Sequence, residues 1–130
     1  MAKGATEMAL RYAMDRKTFG KPIAEHQAIQ LKLAEMSTRA AAAELLVKQA
    51  ANKFDQGERC DLEAGQAKFF ASESAVQNSL DAMRVFGGYS YSPEYEIERF
   101  YRDAPLLCIG EGTNEIQRMI IAKQMVARAS

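Results

Sequence analysis

Apolar residues recur along the middle of the chain at Ile29, Leu33, Met36, Ala40, Ala43, Val47, Ala50 and Phe54, with spacings that alternate four and three. Side chains three and four apart share one face of a helix, so this run predicts a helix with a single apolar seam. The alternation averages about 3.5 residues per turn, the value for helices packed nearly antiparallel, and the alanines let a neighbour approach closely. Gly57 ends this helix, and Asp61 is placed to cap the next. From Asp61 to about Phe86 the positions Ala64, Ala67, Ala71, Ala75, Ala82 and Val85 predict a second long helix, terminated by Gly87 and Gly88. Ahead of both, Ala5, Met8, Ala9, Tyr12 and Ala13 mark one face of a first helix ending near Phe19-Gly20. Behind them Thr113 caps a last helix carrying Ile116, Met119 and Ile120, with Glu115 in its first turn. A short helix is expected from Pro93 onward, because Pro suits a first helical position and Glu94 and Glu96 suit the positive end of the dipole. No strand-like run and no repeat interrupts the pattern. The expectation is an all-α protein, a four-helix up-and-down bundle.

Composition narrows what such a bundle does. The chain has 130 residues, 48% hydrophobic, with 17 basic residues against 17 acidic. These proportions describe one ordinary domain and exclude a disordered, collagen-like or disulfide-scaffolded chain. A net charge of zero supplies no general field for nucleic acid or anionic lipid. Cys60 and Cys108 form no CxxC pair, and the single histidine, His26, has no second ligand at metal-binding spacing, so free thiols and no metal are expected. The first residues lack the apolar centre of a signal peptide, and the longest apolar runs, Ala40 to Ala43 and Met119 to Ala122, are too short to span a bilayer. A cytoplasmic or organelle-matrix setting is expected.

Three strings have more chemistry than a bundle needs. Gly110-Glu111-Gly112-Thr113 sets a carboxylate between glycines just before a helix N-terminus, where backbone N–H groups suit a developing oxyanion and the Glu can act as a general base. On spacing alone it reads more readily as an exposed loop residue ahead of a capped helix. Arg16-Lys17-Thr18-Phe19-Gly20 gathers two cations and a hydroxyl that can grip phosphates, or can simply complement a helix C-terminus. Gly87-Gly88 offers close backbone approach to a cofactor, or a plain helix terminator.

In order and spacing, Arg16-Lys17-Thr18-Phe19-Gly20, His26-Gln27, Phe86-Gly87-Gly88, the stretch from Tyr95 through Glu98-Arg99 to Arg102-Asp103-Ala104, and Glu111-Gly112-Thr113-Asn114-Glu115-Ile116-Gln117-Arg118 resemble the C-terminal domain of the acyl-CoA dehydrogenases. The resemblance covers nearly the whole chain. It implies a four-helix bundle, residues 1–130 as a single domain of a three-domain enzyme without the N-terminal helical and middle β domains, and α,β-dehydrogenation of an acyl-CoA thioester with FAD as oxidant. It implies that Glu111 removes the α-proton while hydride leaves the β-carbon for flavin N5, with the backbone N–H of Glu111 and a ribityl hydroxyl stabilising the carbonyl oxygen. Arg16, Lys17 and Thr18 would meet the pyrophosphate and adenosine of a neighbouring subunit's FAD, and His26 and Gln27 would be a second contacting pair. Arg84, Val85, Phe86, Gly87 and Gly88 would be a further cofactor stretch, with Arg84 replacing the usual Gln. Thr113, Asn114 and Glu115 would lie along the flavin and Gly112 against the thioester. Gly110 replaces a usual Tyr, which implies a pocket widened for a branched, cyclic or bulky acyl group. The implied partners are an electron-transferring flavoprotein and other copies of the chain in a dimer of dimers. A non-catalytic bundle kept as an oligomerisation or binding module, and an acyl-CoA oxidase-like relative, remain alternatives at this point.

Overall fold

The computed structural model describes residues 1–130. Ala2, Ala5, Ala9 and Ala13 fall on one face of α1 (Ala2–Asp15), and all four are buried. The helix stops at Asp15 rather than near Phe19-Gly20, because Arg16 turns extended and the chain folds back as a hairpin of β1 (Lys17–Thr18) and β2 (Lys21–Pro22). Lys17 pairs opposite Pro22 and Thr18 opposite Lys21, antiparallel. Phe19 (φ 52°) and Gly20 (φ 81°) both lie in the left-handed region at its tip, as a two-residue hairpin loop matched to strand twist requires. These two short strands are the only departure from an all-helical chain.

A turn of 3₁₀ helix at Ile23–Glu25 leads into α2 (Gln27–Asp55), then α3 (Asp61–Phe86), a second 3₁₀ segment at Gly87–Tyr91, α4 (Ile97–Ile109) and α5 (Asn114–Ala129). Asp61 proves to be the first helical residue, with Glu63 completing an acidic first turn, and not the cap. The short helix expected from Pro93 starts at Ile97 and runs 13 residues, so the bundle has a fifth helix. The helical-bundle architecture expected from the periodicity is otherwise what forms. α3 is its axis and packs against all four other helices.

That central place explains why the apolar seam of α3 understates its burial. Ala64 is exposed, whereas Glu63, Ser72, Ser74, Asn78, Ser79 and Asp81 are buried beside the alanines. Buried polar groups require partners; Glu63, Asn78 and Asp81 draw theirs from distant helices, whereas the Ser79 hydroxyl has none. Asn78 accepts from Arg39 Nε at 2.7 Å and donates to the Met36 carbonyl at 2.8 Å, Thr6 Oγ1 at 3.1 Å and the Ala2 carbonyl at 3.3 Å, tying α1, α2 and α3 at one residue. Burial raises the Asp81 carboxyl, but hydrogen bonds from Gln77, Arg39 and Arg84 outweigh it and hold it below the usual carboxylate range. Glu63 accepts from both terminal nitrogens of Arg128, at 2.8 and 2.9 Å, and from Lys53 at 2.8 Å, fastening the far end of α5 to α3 and α2. α1 is too short to cover the 29 residues of α2, so Val47 and Phe54 of the expected seam remain exposed.

Candidate functional site

The loop between α4 and α5 has one side chain with chemical reach. Gly110 leaves α4 in extended backbone (φ −65°, ψ 152°), Glu111 takes φ 56°, and Gly112 takes φ 87°. Thr113 then caps α5, its Oγ1 accepting from the Ile116 N–H at 3.4 Å. Only Gly112 requires a glycine conformation. At Gly110 a Cβ would be limited by space, lying 3.3 Å from the Leu106 carbonyl. Glu111 itself is exposed, at the end of an apolar groove of about 960 Å³ whose walls include Ala40 and Ala43 of α2, Ala71 and Ala75 of α3, and Leu106 and Leu107 of α4.

Two polar residues, half-buried Lys68 and buried Asn114, frame this loop. Lys68 of α3 donates to the Cys108 carbonyl at 3.3 Å and to Asn114 Oδ1 at 2.8 Å. Asn114, only 2% exposed, donates in turn to Ser72 Oγ at 3.0 Å and Glu73 Oε1 at 2.8 Å. Of the stretch expected along the flavin, Thr113 therefore caps the helix and Asn114 turns its side chain inward. Glu115 stays exposed, with its carboxyl held below the usual range by its own backbone N–H and the Thr113 hydroxyl. Any contact of Asn114 with a ligand falls to its main chain.

A second concavity, about 550 Å³, lies between the hairpin and the end of α3 and shares no lining residue with the groove. Arg16, Thr18, Val85, Phe86, Gly87 and Gly88 line it, so the hairpin string and the double glycine, far apart in sequence, meet in one cleft. His26 joins them through a 2.9 Å hydrogen bond between its Nε2 and Thr18 Oγ1. Lys17, Gln27 and Arg84 are exposed outside this lining, and Arg84 turns to Asp81 at 3.0 Å. Tyr12 stacks flat on Phe86 with ring centres 4.1 Å apart, and Tyr89 lies 5.5 Å beneath the Arg16 guanidinium. A guanidinium, a hydroxyl and glycines with open space where a Cβ would project are a donor set that fits a diphosphate-bearing cofactor.

Lys68, Tyr12 and Tyr89 belong to these surroundings, although sequence reading passed over them. The one signal available for Lys68 is that it and Arg84 are the only basic residues of α3.

A helical bundle with a cleft lined by Arg16, Thr18 and a double glycine at one place, and a glycine-bordered carboxylate beside an apolar groove at another, has two separate concavities of different chemistry. Comparison with known proteins shows its family. The family described as "Acyl-CoA dehydrogenase, C-terminal domain" matches residues 1–126. A 3-(aryl)acrylate reductase of Clostridium sporogenes is 51% identical over 97% of this chain and 33% of its own length. A cyclohexane-1-carbonyl-CoA dehydrogenase of Geobacter metallireducens is 45% identical over the whole chain and 34% of its own. The solved butyryl-CoA dehydrogenase of Megasphaera elsdenii superimposes with a TM-score of 0.94 at 40% identity, over 96% of this chain and 33% of that one. The chain belongs to the acyl-CoA dehydrogenase family, as its C-terminal domain. It spans about a third of the length of the curated relatives it matches. No helix is long and apolar enough to cross a membrane.

Proposed function

We propose that residues 1–130 are the C-terminal domain of an FAD-dependent acyl-CoA dehydrogenase and carry its catalytic base, Glu111, with an N-terminal helical domain and a middle β-domain completing the enclosure. The observation that supports this most directly is the placement of the Glu111 carboxylate, exposed and left-handed at the end of an apolar groove. An α-proton beside a thioester is too weakly acidic for a carboxylate unless the carbonyl oxygen is stabilised as it gains charge. The backbone N–H of Glu111 is the donor this chain offers. Glu111 takes the α-proton, Gly112 lies against the thioester, and the α,β double bond forms as hydride leaves the β-carbon. Bound FAD supplies the acceptor for that hydride.

Arg16 and Thr18 hold the cofactor's phosphates, and Gly87 and Gly88 admit it to the main chain. Following the family resemblance, the cleft serves the FAD of a neighbouring subunit in a dimer of dimers, apart from the Glu111 groove, with which it shares no lining residue. An electron-transferring flavoprotein then reoxidises the flavin, and assays with that acceptor and with dioxygen separate a dehydrogenase from an oxidase.

Gly110 sets the acyl group. With no side chain at the end of the groove, the proposed substrates are acyl-CoA thioesters with a branched or cyclic group at the α-carbon. The name of one relative, the cyclohexane-1-carbonyl-CoA dehydrogenase, whose substrate has its α-carbon in a ring, supports this class. In the complete enzyme Gly110→Tyr is expected to lower kcat/KM for a cyclic acyl-CoA about 10- to 200-fold relative to a linear one. An unchanged ratio overturns the specificity assignment. The base assignment is tested by Glu111→Gln, which should abolish bleaching of the flavin by acyl-CoA while the resting flavin spectrum persists. Retained turnover overturns it.

A further inference from the structure

Glu111 lies between two helices that each pack on α3, and its backbone conformation is one that non-glycine residues seldom adopt. A general base has to be held to within a fraction of an ångström, so something must fix the turn from both sides. One side chain reaches both. The Lys68 ammonium bonds Cys108, among the last carbonyls of α4 that lack a helical partner, and Asn114, the first residue of α5. Cys108 and Asn114 bracket Glu111 on either side, and Asn114 is itself locked by Ser72 and Glu73 of the same α3. The cation also sits at the negative end of the α4 dipole, where its charge is stabilising. Lys68 lines the groove that Glu111 closes, so the clamp and the base face the same cavity.

We propose that Lys68, acting through Cys108 and Asn114, is the positioning residue that holds the Glu111 turn in register with α3. It rests on the reading of Glu111 as the base, and it adds that the rate of α-proton removal depends on a lysine acting through the ends of α4 and α5 that flank that base.

The test uses the complete flavin-loaded enzyme. Lys68→Met is expected to lower kcat about 100-fold while KM stays within about threefold and flavin content is unchanged, because a displaced base impairs the chemical step and not binding. The α-deuterium isotope effect on kcat should rise as proton removal becomes more limiting. Amide exchange at residues 110–113 should accelerate about tenfold or more as the turn loosens. Lys68→Arg should restore much of each. Asn114→Ala, which leaves the ammonium and its Cys108 bond in place, should reproduce the pattern more weakly if Lys68→Met does not fold, and wild-type behaviour of Asn114→Ala in that case overturns the clamp. Wild-type turn exchange, isotope effect and kcat in Lys68→Met overturn it too, and a parallel Glu111→Gln variant that is inactive shows that the base reading survives. If Glu111→Gln keeps turnover the base reading falls, and amide exchange at the turn still decides whether Lys68 holds it.

Discussion

Arg16 and Glu111 are both charged and both exposed, yet their surroundings are built differently. Around Arg16 the framework is aromatic: Tyr12 lies on Phe86, Tyr95 meets both rings edge-on, and Arg16 rests over Tyr89. Its hydrogen bonds are few, and the hairpin that carries it has two residues per strand. Around Glu111 the framework is polar, with buried Ser72 and Asn114 joined to half-buried Lys68 and exposed Glu73, all bonded to one another or to the ends of α4 and α5. A cation that grips phosphate tolerates small displacements, because charge attraction falls off slowly with distance. A carboxylate that must meet a particular proton does not. The difference between the two surroundings matches the role proposed for each group.

The largest expected effect separates the two ends chemically. Glu111→Gln in the complete enzyme should cost about 10²–10⁴-fold in turnover, the range for a general base, with flavin still bound. Arg16→Ala should act on the other quantity, weakening flavin binding by about 1.5–3 kcal/mol, on the order of 10- to 100-fold in Kd, as measured by flavin titration of the apoenzyme. Both variants losing flavin alike would erase the distinction.

A smaller effect tests how α5, the helix that follows Glu111, is anchored at its far end. The Glu63 carboxyl, at the opposite end of α5, is held far below its ordinary value of 4.5, first by the two Arg128 hydrogen bonds and then by Lys53. Since the folded form binds its proton less readily than the unfolded one, the stabilisation is complete above that ordinary value and is lost as pH falls toward the folded one. Asp81 has the same sign. Thermal midpoints of the wild type should therefore decline on acidification from pH 5 downward, and Glu63→Gln should flatten that decline while lowering the neutral-pH midpoint. An unchanged acid slope in the variant would show that Glu63 does not anchor α5.

The smallest effect compares the two turns directly. Gly20 and Gly112 both hold positive φ, but a Cβ on Gly20 meets nothing within 4 Å, whereas one on Gly112 comes 3.0 Å from Gln117 Nε2. Each change to Ala should cost about 1 kcal/mol in denaturant unfolding from the backbone alone. Gly112→Ala should exceed Gly20→Ala, because Gln117 has to move as well.

Much of the fold was readable because helices advertise themselves through apolar spacing. The end of α1 was not, since nothing in Arg16-Lys17-Thr18-Phe19-Gly20 marks a phenylalanine that will take left-handed backbone. The polar face of α3 was hidden for another reason. A seam reading counts apolar residues, while Asn78 and Asp81 are buried because Arg39, 39 and 42 positions earlier, pairs with them. At the site, Gly110-Glu111-Gly112-Thr113 was legible as a string because its glycines and its cap are local features. Lys68 was not, because its partners Cys108 and Asn114 lie 40 and 46 residues further on. The meeting of Arg16 and Thr18 with Gly87 and Gly88 was not legible, since no local rule brings the hairpin to the end of α3.

The left-handed backbone of Glu111, φ 56°, has a consequence for anyone who engineers this chain. Glycine and asparagine adopt that conformation more readily than a residue with a long side chain, by about 1 kcal/mol or more. Selection for heat resistance alone therefore pushes against the carboxylate: Glu111→Gly and Glu111→Asn would be scored as improvements while removing the proposed base. A library of this domain screened only by survival at raised temperature would drift toward sturdy, silent proteins, and each round needs a turnover assay to keep the glutamate in place.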